Sequence, residues 1–248
     1  MRAYGALAAS YDALMADGAY RRRAAFLARR LRRSPIPVET VLDLGCGTGT
    51  MACLLAKRGY SVIAADGSED MLAQAAAKAE GLERPPLFLL QPMPRLRLAR
   101  PVDAVVSTLD SLNYLTAERD LLETFRRVRR WLKPGGLFLF DVNTPWKLRR
   151  MDGQLYMDET EESVCVWRTF FSEKRRVCAY QVDLFRLRPD GAWERSFEEH
   201  RERAWSEEEL RRCLGAAGFS SVRLTGDLTD KPPGPEEDRW QFECSYSS

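Results

Sequence analysis

From residue 40 onward the chain repeats one pattern: a short, continuous apolar run, a break, then a stretch with apolar residues three and four apart. The runs lie at 40–44, 61–65, 87–90, 103–107 and 137–141. With consecutive rather than alternating apolar residues, they predict strands buried on both faces, as in a parallel sheet. The stretches between predict helices at 49–58, 68–79 and 117–132; the last carries Leu121, Leu122, Phe125, Val128 and Leu132 on one side. Strands alternating with helices predict an α/β sheet with helices on both faces. From about 154 to 203 the period falls to two. Cys178, Tyr180, Val182 and Leu184 share one face of a strand, Pro189-Asp190-Gly191 makes a turn, and Trp193 and Phe197 share a face opposite Glu194, Glu198 and His200. That pattern predicts a small antiparallel sheet inserted after strand five. Ser206 to Glu209 opens another helix with a capping-box pattern, and strands at about 220–225 and 238–246 complete a main sheet of seven. The expected division is a core of residues 1–150 and 204–248 and an antiparallel lid of 151–203.

The break after the first run is the chemically informative one. Asp43 and Leu44 lead into Gly45-Cys46-Gly47-Thr48-Gly49, and an amphipathic helix follows. Glycine permits a sharp turn and lets a ligand lie on the backbone, and the helix start offers unpaired N–H groups. A dinucleotide fingerprint needs G-x-G-x-x-G, a phosphate loop needs Lys-Ser/Thr after its last glycine, and neither is present. Asp43 sits badly beside a pyrophosphate and well beside an ammonium. The second run ends at Asp66, roughly 20 residues past the glycines, where a carboxylate holds ribose hydroxyls in Rossmann-like units. Gly67 follows, and Ser68 stands as a candidate N-cap ahead of Met71.

Asp43, the three glycines and Asp66 together resemble motif I and its sequel in the class I S-adenosylmethionine (SAM) methyltransferases. The whole chain resembles one bacterial branch of them. The carrying motifs are Tyr11-Asp12, Asp110-Ser111-Leu112-Asn113-Tyr114 after strand four, Leu132 to Gly136 before strand five, Asp141 to Pro145 after it, and Ala217-Gly218-Phe219. The resemblance implies a Rossmann-like seven-stranded sheet and a SAM cofactor that leaves as S-adenosylhomocysteine. It implies a cofactor site of Tyr11, Asp43, Gly45, Cys46, Gly47, Asp66, Gly67, Met71, Gln91, Pro92, Met93 and Asp110. Two departures stand out. The branch carries Asp where this chain has Pro92, so adenine must be held by Gln91, by backbone near Met93, or by stacking. It often carries Trp where this chain has Arg23.

Methyl transfer from a sulfonium is an in-line displacement in which the protein supplies orientation and excludes water; a base is needed only for a protonated acceptor. The candidates are Asp110, Tyr114 and His200. Asp110 could orient the methionine end, accept a proton, or cap the next turn; Tyr114 and Asn113 could line the acceptor site or anchor their loop. His200 is the only histidine; Glu198 and Glu202 on the same face suit a cation better than a base, so a solvated, charged strand face is the plainer reading. Trp167, Phe170, Tyr180 and Trp193 would enclose a small molecule if they faced inward.

Charge and composition then narrow the partners. The formal net charge is +2, close to neutral. Seven of the thirteen residues at 21–33 are arginine, around an apolar stripe of Ala24, Phe26, Leu27 and Leu31. That helix could be a nucleic-acid face or a solvated one; acidic residues elsewhere balance the charge, so the solvated face is expected and nucleic acid is not. One histidine and six scattered cysteines make no zinc set, and no metal is expected. No apolar run approaches the ~18 residues of a membrane span, and the first residues lack a signal-peptide layout. The expectation is a cytoplasmic methyltransferase, monomer or homodimer, acting at O or N of a small-molecule acceptor. RNA or protein methylation, and SAM binding without turnover, are the alternatives.

Overall fold

The computed structural model describes residues 17–247, so Tyr11 and the Tyr11-Asp12 element lie outside the described residues. Each continuous apolar run forms a strand: β1 (Thr40–Leu44), β2 (Ser61–Asp66), β3 (Leu87–Leu90), β4 (Val102–Ser107) and β5 (Leu132–Asn143). The period-two region forms β6 (Leu155–Glu159), β7 (Ser163–Ser172), β8 (Val177–Leu187) and β9 (Trp193–Arg203), a separate antiparallel sheet in chain order. The chain then returns as β10 (Ser221–Gly226) and β11 (Arg239–Ser245). The main sheet has seven strands in the order β10-β11-β5-β4-β1-β2-β3. β1 to β5 run parallel, while β11 is antiparallel to β5 and β10 to β11. Strand order reverses at β1, which pairs with β2 on one side and β4 on the other. In open α/β sheets that reversal opens a crevice beyond the strand C-termini, where ligands bind.

The helices are α1 (Asp17–Leu31), α2 (Thr50–Ala56), α3 (Glu69–Ala79), α4 (Glu118–Trp131), α5 (Pro145–Arg150) and α6 (Glu207–Ala217). They cover both faces. Phe125, Phe138, Phe140, Trp205, Leu214 and Phe242 pack on one side, and Leu27, Leu31, Val41, Leu55 and Leu139 on the other. Phe138, Leu139 and Phe140 thus go to alternate sides, as the strand period requires. Phe140 and Phe242 are cross-strand partners whose rings stack at 4.8 Å. The capping box of α6 is formed in both directions: Glu209 N–H donates to Ser206 Oγ and Ser206 N–H to Glu209 Oε2. Among the described residues no helix is long and apolar enough to cross a membrane.

Four expectations need correcting. β5 starts at Leu132, ahead of the expected 137, because Leu132 already pairs with Val102 and the register shift between Val102 and Ala104 absorbs the Lys-Pro-Gly-Gly break. α5 was not anticipated, although Pro145 at its first position and Thr144 as N-cap announce it. The arginine helix α1 is not solvated throughout. Arg23 and Arg30 are 5% and 4% exposed and form ion pairs with Asp141 and Asp227, and with Asp230 and Glu243. Finally, β9 faces the other way. Its register sets His200 opposite Tyr180 and Glu202 opposite Cys178, on the inner face of the lid. Glu198, His200 and Glu202 are buried, whereas Trp193, Phe197 and Phe170 are exposed. The acidic face turns inward because it finds polar partners there: Asn143 Nδ2, at the end of β5, donates to Glu202 at 2.7 Å, and His200 Nε2 lies 3.2 Å from Glu198.

Replacing Phe140 with Ala should cost about 3–5 kcal/mol, the usual range for a buried aromatic, measured by urea unfolding. Phe170→Ala, on the exposed lid face, should stay within about 0.5 kcal/mol of the parent.

Candidate cofactor site

The crevice at β1 is a cavity of about 420 Å³. Its floor is the glycine turn, left-handed at Gly45, Gly47 and Gly49 (φ 74, 52 and 72). Two of these glycines differ in purpose. A side chain at Gly45 would collide with Met93 and Ser111, so the turn is packed against the loops after β3 and β4. One at Gly47 would meet nothing within 4 Å, because that position opens onto the cavity. The turn is tied to the next strand by Asp66, whose Oδ2 accepts from Gly47 N–H and whose Oδ1 accepts from Ser68 N–H, both at 2.8 Å. Burial raises the Asp66 carboxyl from its ordinary value, and the backbone N–H groups of Ser68 and Gly47 oppose that rise. On the far side, Lys78 Nζ donates to Thr48 and Thr50 and ties α3 to the turn.

Asp43 is the electrostatic centre. It is 1% exposed and lines the cavity. It takes a hydrogen bond from the Ala52 backbone, while Oδ2 has no partner among the described residues. Burial first, and the charge of Asp66 second, push its carboxyl up to about 7. A buried carboxylate with an open acceptor oxygen is matched by a cation that brings its own donors, such as an ammonium group. Cys46 lies on the same wall, and burial pushes its thiol far up, so it serves there as a small apolar group.

Of the residues named from sequence, Asp43, Gly45, Cys46, Gly47, Asp66, Gly67, Met71, Pro92, Met93 and Tyr114 line the cavity. Gln91 and Asp110 are not among its lining residues. The Gln91 amide turns to the backbone of Arg97, donating to its carbonyl and accepting its N–H. Pro92 instead faces Gly67 across the wall. Asp110 precedes the turn Ser111–Tyr114 without capping it; its Oδ1 accepts from Arg239 Nη2 at 2.7 Å. Asn113 is an anchor: its amide donates to the carbonyls of Asn143 and Arg203 and accepts the Asn143 N–H. His200 stands behind Tyr114, its ring edge-on at 6.0 Å between centroids. Nearby, burial and the charge of Asp110 raise the Glu202 carboxyl to about 8. Sequence reasoning missed Tyr20, Thr48, Met51, Ser68, Glu69, Leu90, Thr108, Leu109 and Ser111 as lining residues. All but Tyr20 lie at or just after the C-terminal ends of β1, β2, β3 or β4, so the strand-end rule was the available signal.

Known proteins match this geometry. A family model described as a methyltransferase domain fits residues 41–136. A protein provisionally named a methyltransferase in Geobacillus sp. (strain WCH70) is 33% identical over 241 residues, 96% of this chain and 98% of the relative. Bacillus subtilis (strain 168) YqeM, under a similarly provisional name, is 33% identical over 246 residues, 98% of this chain and 97% of the relative. Among solved structures, a S-adenosylmethionine-dependent methyltransferase from Clostridium acetobutylicum ATCC 824 has a TM-score of 0.87 at 25% identity, covering 100% of both chains. The chain belongs to the class I SAM-dependent methyltransferases. SAM is its cofactor and S-adenosylhomocysteine the product. The residues present fit that group: an open carboxylate oxygen on Asp43 for an ammonium, and an unobstructed Gly47 backbone for close approach.

The raised Asp43 carboxyl has a consequence for stability. Between the unfolded value near 3.8 and the folded value of about 7, the folded state binds the extra proton, so stability falls as pH rises through that window. Asp43→Asn removes the charge that folding must bury. The variant should melt above the ligand-free parent at pH 8, with a smaller gain at pH 5, and should lose the rise in Tm that SAM gives the parent. An equal shift at both pH values would contradict the assignment.

Proposed function

We propose that this enzyme moves the methyl group of SAM to an oxygen or nitrogen atom of a small molecule held between the β4 end, Tyr114 and the lid. When bound, SAM supplies an activated methyl group on a sulfonium. The chain's own residues then bind, orient and exclude water. In this proposal Asp43 holds the ammonium, Asp66 accepts from the ribose hydroxyls, the Gly45–Gly47 turn carries the amino-acid portion, and Gly67, Met71, Pro92 and Met93 enclose the adenine. Tyr114 is the one of the three catalytic candidates that lines the cavity, so it is the group placed against the acceptor. His200, with Glu198 at 3.2 Å, packs edge-on against the Tyr114 ring and fixes its place in the wall; Asp110 orients through Arg239.

The observation that carries the small-molecule reading is the fate of the arginines. Arg23 and Arg30, buried in ion pairs with Asp141, Asp227, Asp230 and Glu243, are committed to the fold. Two of the seven arginines that suggested a nucleic-acid face are thereby matched by the protein's own carboxylates, and Arg33 lies 3.8 Å from Asp230, while Arg21, Arg22, Arg29 and Arg32 stay exposed. The six cysteines are free and buried, which fits a cytoplasmic setting.

Labelled SAM incubated with the enzyme and a cell extract tests the proposal. Label should enter the small-molecule fraction and fall at least about 100-fold with Asp66→Ala, the scale of losing a key orienting contact. Label in nuclease- or protease-sensitive material would overturn the small-molecule acceptor.

A further inference from the structure

Two consecutive residues of the loop after β4, Leu109 and Asp110, hold left-handed backbone (φ 56 and 59). Asp tolerates that region; leucine rarely enters it. Leu109 nevertheless lines the cofactor cavity, and the Ser111–Tyr114 turn starts directly after the pair. Something must hold the loop there.

That something is Asp141, at the end of β5 and 0% exposed. Its Oδ2 accepts from Leu109 N–H and its Oδ1 from Asp110 N–H, both at 3.1 Å. Two arginines from opposite ends of the described chain complete its shell. Arg23 of α1 donates to Oδ2 at 3.1 Å, and Arg239 of β11 donates to Oδ1. Each arginine reaches further: Arg239 to Asp110, and Arg23 by two bonds to Asp227 after β10. Burial works to raise the Asp141 carboxyl, but the charges of Arg239 and Arg23 and the bond from Asp110 N–H outweigh it and hold it below the ordinary value. The group is therefore ionised, and both of its oxygens are committed.

We propose that Asp141 is a positioning residue for methyl transfer: clamped by Arg23 and Arg239, its carboxylate keeps Leu109 and Asp110 left-handed and so sets the cavity wall and the entry to the Tyr114 turn. This rests on the placement of SAM in the β1 crevice. Asp141 touches neither reactant; it acts through the backbone it holds. A side chain that served stability alone would lower the melting temperature of its variant and leave the SAM affinity of the folded protein unchanged.

A double-mutant cycle on the full chain separates these roles, with SAM affinity read by calorimetry. Glycine adopts the left-handed region unaided, so Leu109→Gly removes the need for the clamp. Asp141→Asn keeps the size but loses the charge and one of the two acceptors. It should weaken SAM binding by about tenfold in the parent, and by less than about threefold on the L109G background. An equal penalty on both backgrounds, or parental affinity in D141N, would overturn the proposal. If D141N does not fold, Arg239→Lys enters the same cycle under the same criterion, since lysine cannot bridge Asp141 and Asp110 as a planar fork. Asp66→Ala, run in parallel, checks the foundation. Unchanged affinity there would refute the cavity assignment and this inference with it, whereas equal penalties in the cycle would refute the clamp alone.

Discussion

One buried carboxylate sets the terms for the rest of this structure. Asp43 stands at the C-terminal end of β1, at the reversal of strand order, in the cavity wall and with one oxygen that has no partner among the described residues. Burying a charge without full compensation is costly, and here the cost shows as a carboxyl pushed up to about 7. A fold selected for stability alone would not keep an acid there. The packed Gly45 turn, the open Gly47 and the Asp66 tether form a socket around that acid, and the cofactor's ammonium completes it.

The surrounding architecture holds that socket against the loops that form its other walls. The single Ser111 hydroxyl proton lies between the Thr108 carbonyl, 2.9 Å from Oγ, and the Gly45 carbonyl, 3.1 Å from it, joining the β1 and β4 ends. Asn113 ties the same loop to β5 and to the end of β9. Asp141, Arg23 and Arg239 then connect α1, β5 and β11 beneath it. Polar side chains at the strand ends thus do the joining, while apolar contacts fill the two faces of the sheet. The division follows from the chemistry of the crevice: backbone at strand ends has lost its ladder partners, and buried polar groups must be satisfied.

Much of this is legible in the sequence, for reasons specific to each element. Parallel strands buried on both faces leave continuous apolar runs, so β1 to β4 lie within a residue of their expected bounds. Asp43, the glycines and Asp66 are readable because ligand geometry dictates both residue type and spacing. The lid is where periodicity misleads. Alternation at 193–202 separates two faces correctly, but hydrophobicity alone points Trp193 and Phe197 inward. The actual orientation depends on partners distant in sequence, Asn143 for Glu202 and Tyr114 for His200. Arg23 is the same case: nothing local separates it from Arg21 or Arg22, and only the positions of Asp141 and Asp227 make it a buried clamp. Gln91 is a natural contact for adenine by sequence position, yet its amide is committed to the Arg97 backbone, within its own loop.

Titration of the Asp43 carboxyl by carbon-13 NMR tests the central claim most directly, with the resonance identified by its loss in Asp43→Asn. Without ligand, its midpoint should lie near 7. With S-adenosylhomocysteine bound, the ammonium should favour the ionised form and move the midpoint well below that value. A midpoint that product binding leaves unmoved would show that Asp43 does not hold the ammonium, and would contradict the account of this site.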